Sequence, residues 1–225
     1  MDENKNLIEA IISTEWDMFI SVNEGSERAE CQEDFTTFSG MRTAQFETWP
    51  HGAVESYLDD LTAARKEGRN LVEAKYIHMM KTTEPSKYSI LIQRITQPAD
   101  DVCSLAREIS DMLLEQTREL FETYPYVSGQ GRPLYSTQDG NEVSVETYQH
   151  SELLTYSVKT LAALKEHILA LKKDGISLAR EILQNSVKFY GYESLDTAEE
   201  ATRENAPGKV IQMFFGCCPD DACPL

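Results

Sequence analysis

Apolar residues recur along most of the chain at intervals of three and four, and this spacing predicts helices almost throughout. Leu7, Ile8, Ile11, Ile12, Met18, Phe19 and Val22 place a first amphipathic helix over residues 4 to 24, ended by Gly25. A polar, acidic loop then leads to Asp34, a side chain suited to cap a second helix with the stripe Phe35, Phe38, Met41, Phe46 and Trp49. Pro50-His51-Gly52 breaks the chain. A third helix turns Val54, Tyr57, Leu58 and Leu61 inward and stops at Glu67-Gly68. Asn70 can cap a fourth, which carries Leu71, Ala74, Ile77 and Met80.

Between Pro85 and Pro98 the run Tyr88 to Ile92 reads as a short extended stretch or as a turn of helix. Val102, Leu105, Ile109, Leu113 and Leu120 mark a long helix from Ala99 to Tyr124, ended by Pro125. A loop of about twenty residues with Gly129, Gly131 and Arg132 follows, longer than most ordered connections. Helices are then predicted at 144 to 156, 157 to 173 and 176 to 190, with a last amphipathic stretch from Leu195 to Arg203.

Residues 34 to 80 and 141 to 187 match at an offset of 107, with Thr48/Thr155, Ala63/Ala170, Lys66/Lys173, Gly68/Gly175 and Leu71/Leu178 identical. Residue class is kept where identity is lost, as at Trp49/Tyr156 and Phe46/Leu153. The expected fold is therefore all-α: an internally duplicated helical bundle whose two units, about 4–84 and 99–191, are related by a pseudo-two-fold. Units of this kind bury their apolar faces against each other, and the seam is where a site is expected. One helical domain is expected over 1–206 and an irregular, cysteine-rich tail over 207–225.

Charge narrows the partners. The net charge is −17, and residues 1 to 60 carry the largest excess of acid, opposed by Lys5, Arg28 and Arg42 alone. A polyanion would be repelled, so neither nucleic acid nor an anionic membrane is expected, whereas a basic protein partner fits the acidic quarter. No apolar run approaches the roughly 18 to 20 residues that cross a bilayer. Met1-Asp2-Glu3-Asn4 does not start like a secretory signal, and Ala222 occupies the place a prenylated cysteine would need. Cys31 and Cys103 stand apart from Cys217, Cys218 and Cys223, a pattern that suits a reducing cytoplasm better than a disulfide framework.

The candidate chemistry lies in polar residues on apolar stripes. Glu15 shares a face with Ile11, Met18 and Val22, and a carboxylate there needs a cation, a metal or a hydrogen-bond network. Arg42 and Gln45 share the second helix's stripe with Trp49, making Glu15 with Arg42 the expected pair. In the second unit Tyr148, Glu152 and Tyr156 align with Val145, and Glu152 falls opposite Gln45 at the repeat offset. With Arg132 entering from the glycine-rich loop, these residues describe a polar pocket with aromatic walls for a small molecule. Glu15, Arg42 and Glu152 are the catalytic candidates, with one glutamate raised in pKa by desolvation for proton transfer. Gln45, Trp49, Arg132, Tyr148 and Tyr156 are the ligand-binding candidates. The alternative is a buried network that only fixes helix register in a non-catalytic interaction module.

No metal or cofactor is specified. Glu146 to His150 and Glu47 to His51 are spaced by four, where bundle di-metal centres use Glu-x-x-His, and the four histidines read as solvated. Phosphate-loop, dinucleotide and nucleophile-elbow motifs are missing. Cys31, beside Glu30, Glu33 and Asp34, reads as a plain buried thiol.

The runs Thr14-Glu15-Trp16-Asp17-Met18-Phe19, Cys31-Gln32-Glu33-Asp34-Phe35, Met41-Arg42-Thr43-Ala44-Gln45-Phe46, Glu67-Gly68-Arg69-Asn70-Leu71 and Glu152-Leu153-Leu154-Thr155-Tyr156-Ser157 resemble an uncharacterised bacterial family, domain of unknown function 4125, associated mainly with anaerobes. The resemblance spans roughly residues 7 to 200 and implies a stand-alone cytoplasmic helical domain without an established activity. Its motifs include Glu15, Arg42, Gln45 and Glu152, and this chain departs from the pattern beyond Pro207.

Overall fold

Short polar side chains set where many of the helices begin. In the computed structural model, which describes residues 2–22, 30–129, 131–140 and 142–205, the Asp34 carboxylate accepts from the Thr37 backbone N–H and starts α2 (Phe35–Phe46). Asn70 does the same for α4 (Leu71–Thr83), and Ser144, Ser157 and Ser177 for α8 (Val145–Leu153), α9 (Val158–Lys173) and α10 (Leu178–Phe189). Each cap satisfies an N–H that the helix itself leaves unpaired.

The other helices are α1 (Asp2–Ile20), α3 (His51–Lys66), α5 (Pro85–Leu91), α6 (Asp100–Thr123), α7 (Pro125–Ser128) and α11 (Leu195–Asn205). The described residues are all-helical, without a strand. The ambiguous Tyr88–Ile92 stretch is helical through α5, started by Pro85, whose fixed φ suits a first helical turn. It buries none of its residues, so it connects elements rather than forming core.

The ends of α3 and α9 are built alike. Gly68 and Gly175 take φ of 70° and 73°, and the N–H groups of Arg69 and Ile176 reach back to Ala64 O and Leu171 O. This closure requires a left-handed residue, which glycine supplies without steric cost. The two helices have bounds at the sequence offset of 107, as do the starts of α4 and α10 and the ends of α2 and α8.

α3 packs against both α1 and α9, α4 against α8, and α6 against α8, α9 and α10. One large core joins these helices, and a smaller cluster around Leu120, Val127, Leu183 and Leu195 ties α7 and α11 to α6 and α10. Aromatic rings line the large core, from Phe19 stacked on Phe38 at 5.5 Å to Tyr57 tilted on Tyr156 at 4.6 Å. Phe35 departs from its expected inward position and is 46% exposed. The inward face of α2 is set by Phe38, Arg42 and Phe46 at intervals of four, leaving Phe35 at the rim against Trp16.

No helix among the described residues is long and apolar enough to cross a membrane. The expected helix stop at Gly25, the apolar run Val210 to Phe215 and the cysteines Cys217, Cys218 and Cys223 lie outside the described residues.

Candidate functional site

Glu15 faces inward because Ile11, Ile12, Met18 and Phe19 bury the same side of α1, and its carboxylate is matched there by three donors. Arg42 donates from Nε to Oε2 at 2.7 Å and from Nη2 to Oε1 at 2.5 Å, and the Tyr57 hydroxyl donates to Oε1 at 2.7 Å. This fork-to-fork geometry is the strongest form of arginine–carboxylate contact. Arg42 also donates from Nη1 to Gln45 Oε1 at 2.8 Å, and its guanidinium lies over the Phe46 ring, 4.6 Å from the centroid.

The same guanidinium reaches the other end of the sequence. Arg42 Nη2 is 2.8 Å from Glu152 Oε1, which also accepts from the Tyr156 hydroxyl at 2.7 Å. Further out, Lys75 on α4 donates from Nζ to the Tyr148 hydroxyl at 2.8 Å. Two cations lie close to the Tyr148 ring, Lys75 Nζ 4.6 Å and the Arg132 guanidinium 5.1 Å from its centroid. Arg132 donates to Val143 O at 3.0 Å and so meets the network through Tyr148.

Glu15, Arg42, Lys75, Tyr148 and Glu152 are all buried, so the cluster holds two carboxylates against two cations. Burial pushes the Glu152 carboxyl up, but Arg42, Lys75 and the Tyr156 hydrogen bond outweigh it and hold the group at about 2. The expectation of a desolvated glutamate with a raised pKa therefore fails at Glu152: burial arrives together with two cations. Burial disfavours the Arg42 cation, yet Glu15 and Glu152 raise it well above its ordinary range. Lys75 is likewise raised despite its burial, by Tyr148 and Glu152. Burial pushes the Tyr57 and Tyr156 phenols far up, with Glu15 adding to the shift at Tyr57 and Glu152 at Tyr156. At neutral pH the cluster presents an ionised Glu152 and protonated phenols. It can accept hydrogen bonds and stabilise polar groups, but Glu152 carries no proton to give.

Beside this cluster lies a cavity of about 40 Å³ whose lining includes the polar residues Gln45, Gln149, Glu152 and Tyr156 and the Trp49 ring. Ile109 and Ile168 are among the aliphatic residues that line it as well. Gln149 is 6% exposed, and its Oε1 has no hydrogen-bond partner. Tyr156 also borders a larger recess of about 280 Å³ that includes Asn70, His78, Arg94 and Thr155. Of the sequence candidates, Gln45, Trp49, Glu152 and Tyr156 line the cavity, while Glu15, Arg42, Tyr148 and Arg132 do not.

Three participants lie outside the polar candidates of the sequence. Tyr57 reads as core on an inward stripe, although its hydroxyl bonds Glu15. Lys75 stands between Leu71 and Met79 on the buried side of α4, and that spacing of four was the available signal. Gln149 is the equivalent of Arg42 at the offset of 107, and that equivalence was its available signal, although its burial depends on how α6 and α8 pack.

Among the described residues no group of three or more His, Cys, Asp or Glu side chains is placed to hold a metal ion. The histidines are not uniformly solvated as expected. His51 is exposed, but His78 is 8% exposed on α4, whose buried face is wider than its apolar stripe implied. Burial, with His150 and Lys81 nearby, lowers His78 to about 4. Cys31 is a buried thiol.

No curated protein and no solved structure shows a significant match to this chain. A family model described as a protein of unknown function, DUF4125, matches residues 5–200, a span that takes in α2 to α10 and every member of the buried cluster. The chain belongs to the DUF4125 family.

Proposed function

We propose that the chain binds a small molecule at the seam between two helical units, α2–α4 and α8–α10, that descend from one duplicated unit and are related by a pseudo-two-fold. The observation that carries this reading is a buried acceptor, Gln149 Oε1, that has no hydrogen-bond partner and belongs to a side chain lining the cavity. A buried acceptor without a donor costs roughly 1–3 kcal/mol, and a ligand's donor can offset that cost. Gln45, Trp49, Glu152 and Tyr156 form the contact surface. Arg42 positions Glu152 and keeps it ionised, and Glu15 with Tyr57 positions Arg42. Tyr148, with Lys75 and Arg132 close to its ring, supports the cluster. Tyr156 borders both the cavity and the recess, and the recess is the proposed route of entry. A cytoplasmic location, from charge and cysteine pattern, belongs to the same proposal.

The test is an unbiased small-molecule screen read by thermal shift on the wild-type chain and on Gln149→Leu. Selective stabilisation of the wild type, lost in the variant, is the expected result. No hit among a broad set of metabolites would overturn the reading.

The balance of two carboxylates against two cations supports a second reading, a non-catalytic module whose buried cluster only fixes helix register while its acidic surface engages a basic protein. Salt-sensitive binding of a polylysine peptide, without any small-molecule hit, is the outcome it requires.

A further inference from the structure

We infer that the molecule taken by the inner cavity is neutral and short, a primary amide or alcohol whose donor meets Gln149 Oε1 and whose alkyl group lies against the aliphatic wall. This deepens the seam reading and rests on it.

Charge comes first. Glu15 and Glu152 are already matched by Arg42 and Lys75 within the buried cluster. An anionic ligand would bring a second negative charge against Glu152 in the cavity wall. A cationic one would add a third positive charge beside Arg42 and Lys75. Either leaves an unmatched charge away from water, which is far more costly than burying a neutral polar group that finds its hydrogen bond.

Hydrogen bonding then fixes polarity. Gln149 Oε1 needs a donor. Glu152 receives both Arg42 and Tyr156 on Oε1, so Oε2 is a second acceptor on the same residue. Gln45 spends its carbonyl on Arg42, which leaves its amide N–H groups as the complementary donor. Two acceptors and one donor suit a primary amide, which carries two N–H groups and one carbonyl, and an alcohol satisfies part of the same set.

Size and walls complete the description. A space of about 40 Å³ holds on the order of three water-sized spheres, each of which needs ~10–15 Å³. Three or four heavy atoms are therefore the natural occupant. Ile109, Leu164 and Ile168 line the rest, and a methyl or ethyl group gains more against them than a second polar end would.

Acetamide, acetate, acetamidinium and acetone share nearly one shape and differ in charge and donors, so they test the inference directly. Binding is followed by NMR on protein labelled at glutamine side chains and isoleucine methyls. Acetamide and ethanol are expected to give saturable shifts at Gln149, Ile109 and Ile168, with acetone weaker by about tenfold because it brings no donor. The two ions are expected to leave those signals in place. Gln149→Leu should remove acetamide's advantage over acetone. Equal binding of acetone, binding of either ion as tight as acetamide, or an undiminished preference in the variant would each overturn the inference. So would a cavity that no probe shifts, which would mean that water alone fills it. The wild-type comparison among the isosteres stands even if the variant does not fold. The seam reading fails separately, if the broad screen finds no ligand of any class.

Discussion

Arg42 on α2 and Glu152 on α8 lie 2.8 Å apart with side chains 9% and 8% exposed, so a single guanidinium joins segments more than a hundred residues apart in sequence. A second carboxylate, Glu15, closes on the same guanidinium from α1. Removing Arg42 leaves both carboxylates buried without a cation at contact distance. Arg42→Leu is expected to lower unfolding free energy by about 3–5 kcal/mol, read by urea denaturation. Adding Glu15→Gln and Glu152→Gln to that variant should recover part of the loss, because the unmatched charge disappears. A triple variant no more stable than Arg42→Leu would show that packing against Phe46, rather than charge, dominates.

Acid sensitivity follows from Glu152. Its carboxyl stands at about 2 in the folded chain and near 4.3 when unfolded, so its contribution, on the order of 3 kcal/mol, is complete above about 4.3 and is lost as pH falls through the folded value. Glu152→Gln should flatten the stability profile between roughly pH 4.3 and 2. An unchanged slope there would mean that Arg42 and Lys75 do not stabilise its charge.

His78 predicts a separate window at higher pH. It titrates at about 4 in the folded chain because burial opposes the imidazolium, against an unfolded value near 6.5. The unfolded state takes up the proton first, so stability falls as pH drops from about 6.5 towards the folded value, by on the order of 3 kcal/mol. NMR of the His78 ring should show the neutral form at pH 5.5. His78→Gln should remove this part of the pH dependence, and a ring that titrates near 6.5 would contradict it.

Lys75 and Tyr148 should prove strongly coupled. Tyr148→Phe removes the hydroxyl that Lys75 Nζ meets at 2.8 Å while keeping the ring beneath the ammonium, and is expected to cost about 1.5–3 kcal/mol. Lys75→Met alone should also destabilise, since it takes that donor from the phenol and leaves Glu152 short of a cation. The double variant should cost less than the sum. Additive losses in a double-mutant cycle would show that the hydrogen bond contributes nothing of its own.

Gly68 tests the backbone rather than the network. Its φ is 70°, and an added Cβ would meet no atom within 4 Å. Gly68→Ala should therefore cost about 1 kcal/mol from conformation alone, and Gly68→Asn less, because asparagine tolerates the left-handed region. The same pair of results is expected at Gly175, where φ is 73°.

Much of the site can be read in the chain, and the boundary has a physical cause. Glu15, Arg42 and Glu152 stand out because a charge on an apolar helical stripe is expensive, and local periodicity shows the stripe without knowledge of its partner. Gln45, Trp49 and Tyr156 fall on the same stripes. Lys75 was in principle visible in this way on α4, while Tyr57 was masked because an aromatic ring on an inward face needs no polar explanation.

Sequence by itself determined what depends on near neighbours along the chain: the helical class, the caps at Asp34 and Asn70, the glycine stops at Gly68 and Gly175, and the list of residues whose polarity contradicts their face. Tertiary structure decided what depends on distant segments sharing one desolvated volume. Only the meeting of α1, α2, α4 and α8 turns four isolated charges into a matched set, lowers Glu152 where burial alone would have raised it, and draws Arg132 to Tyr148 instead of the carboxylates. Only the packing of α6 and α8 beside α9 buries Gln149 in the wall of a cavity and leaves its acceptor without a partner. Desolvation and long-range pairing are properties of the assembled interior, and no interval of three or four residues encodes them.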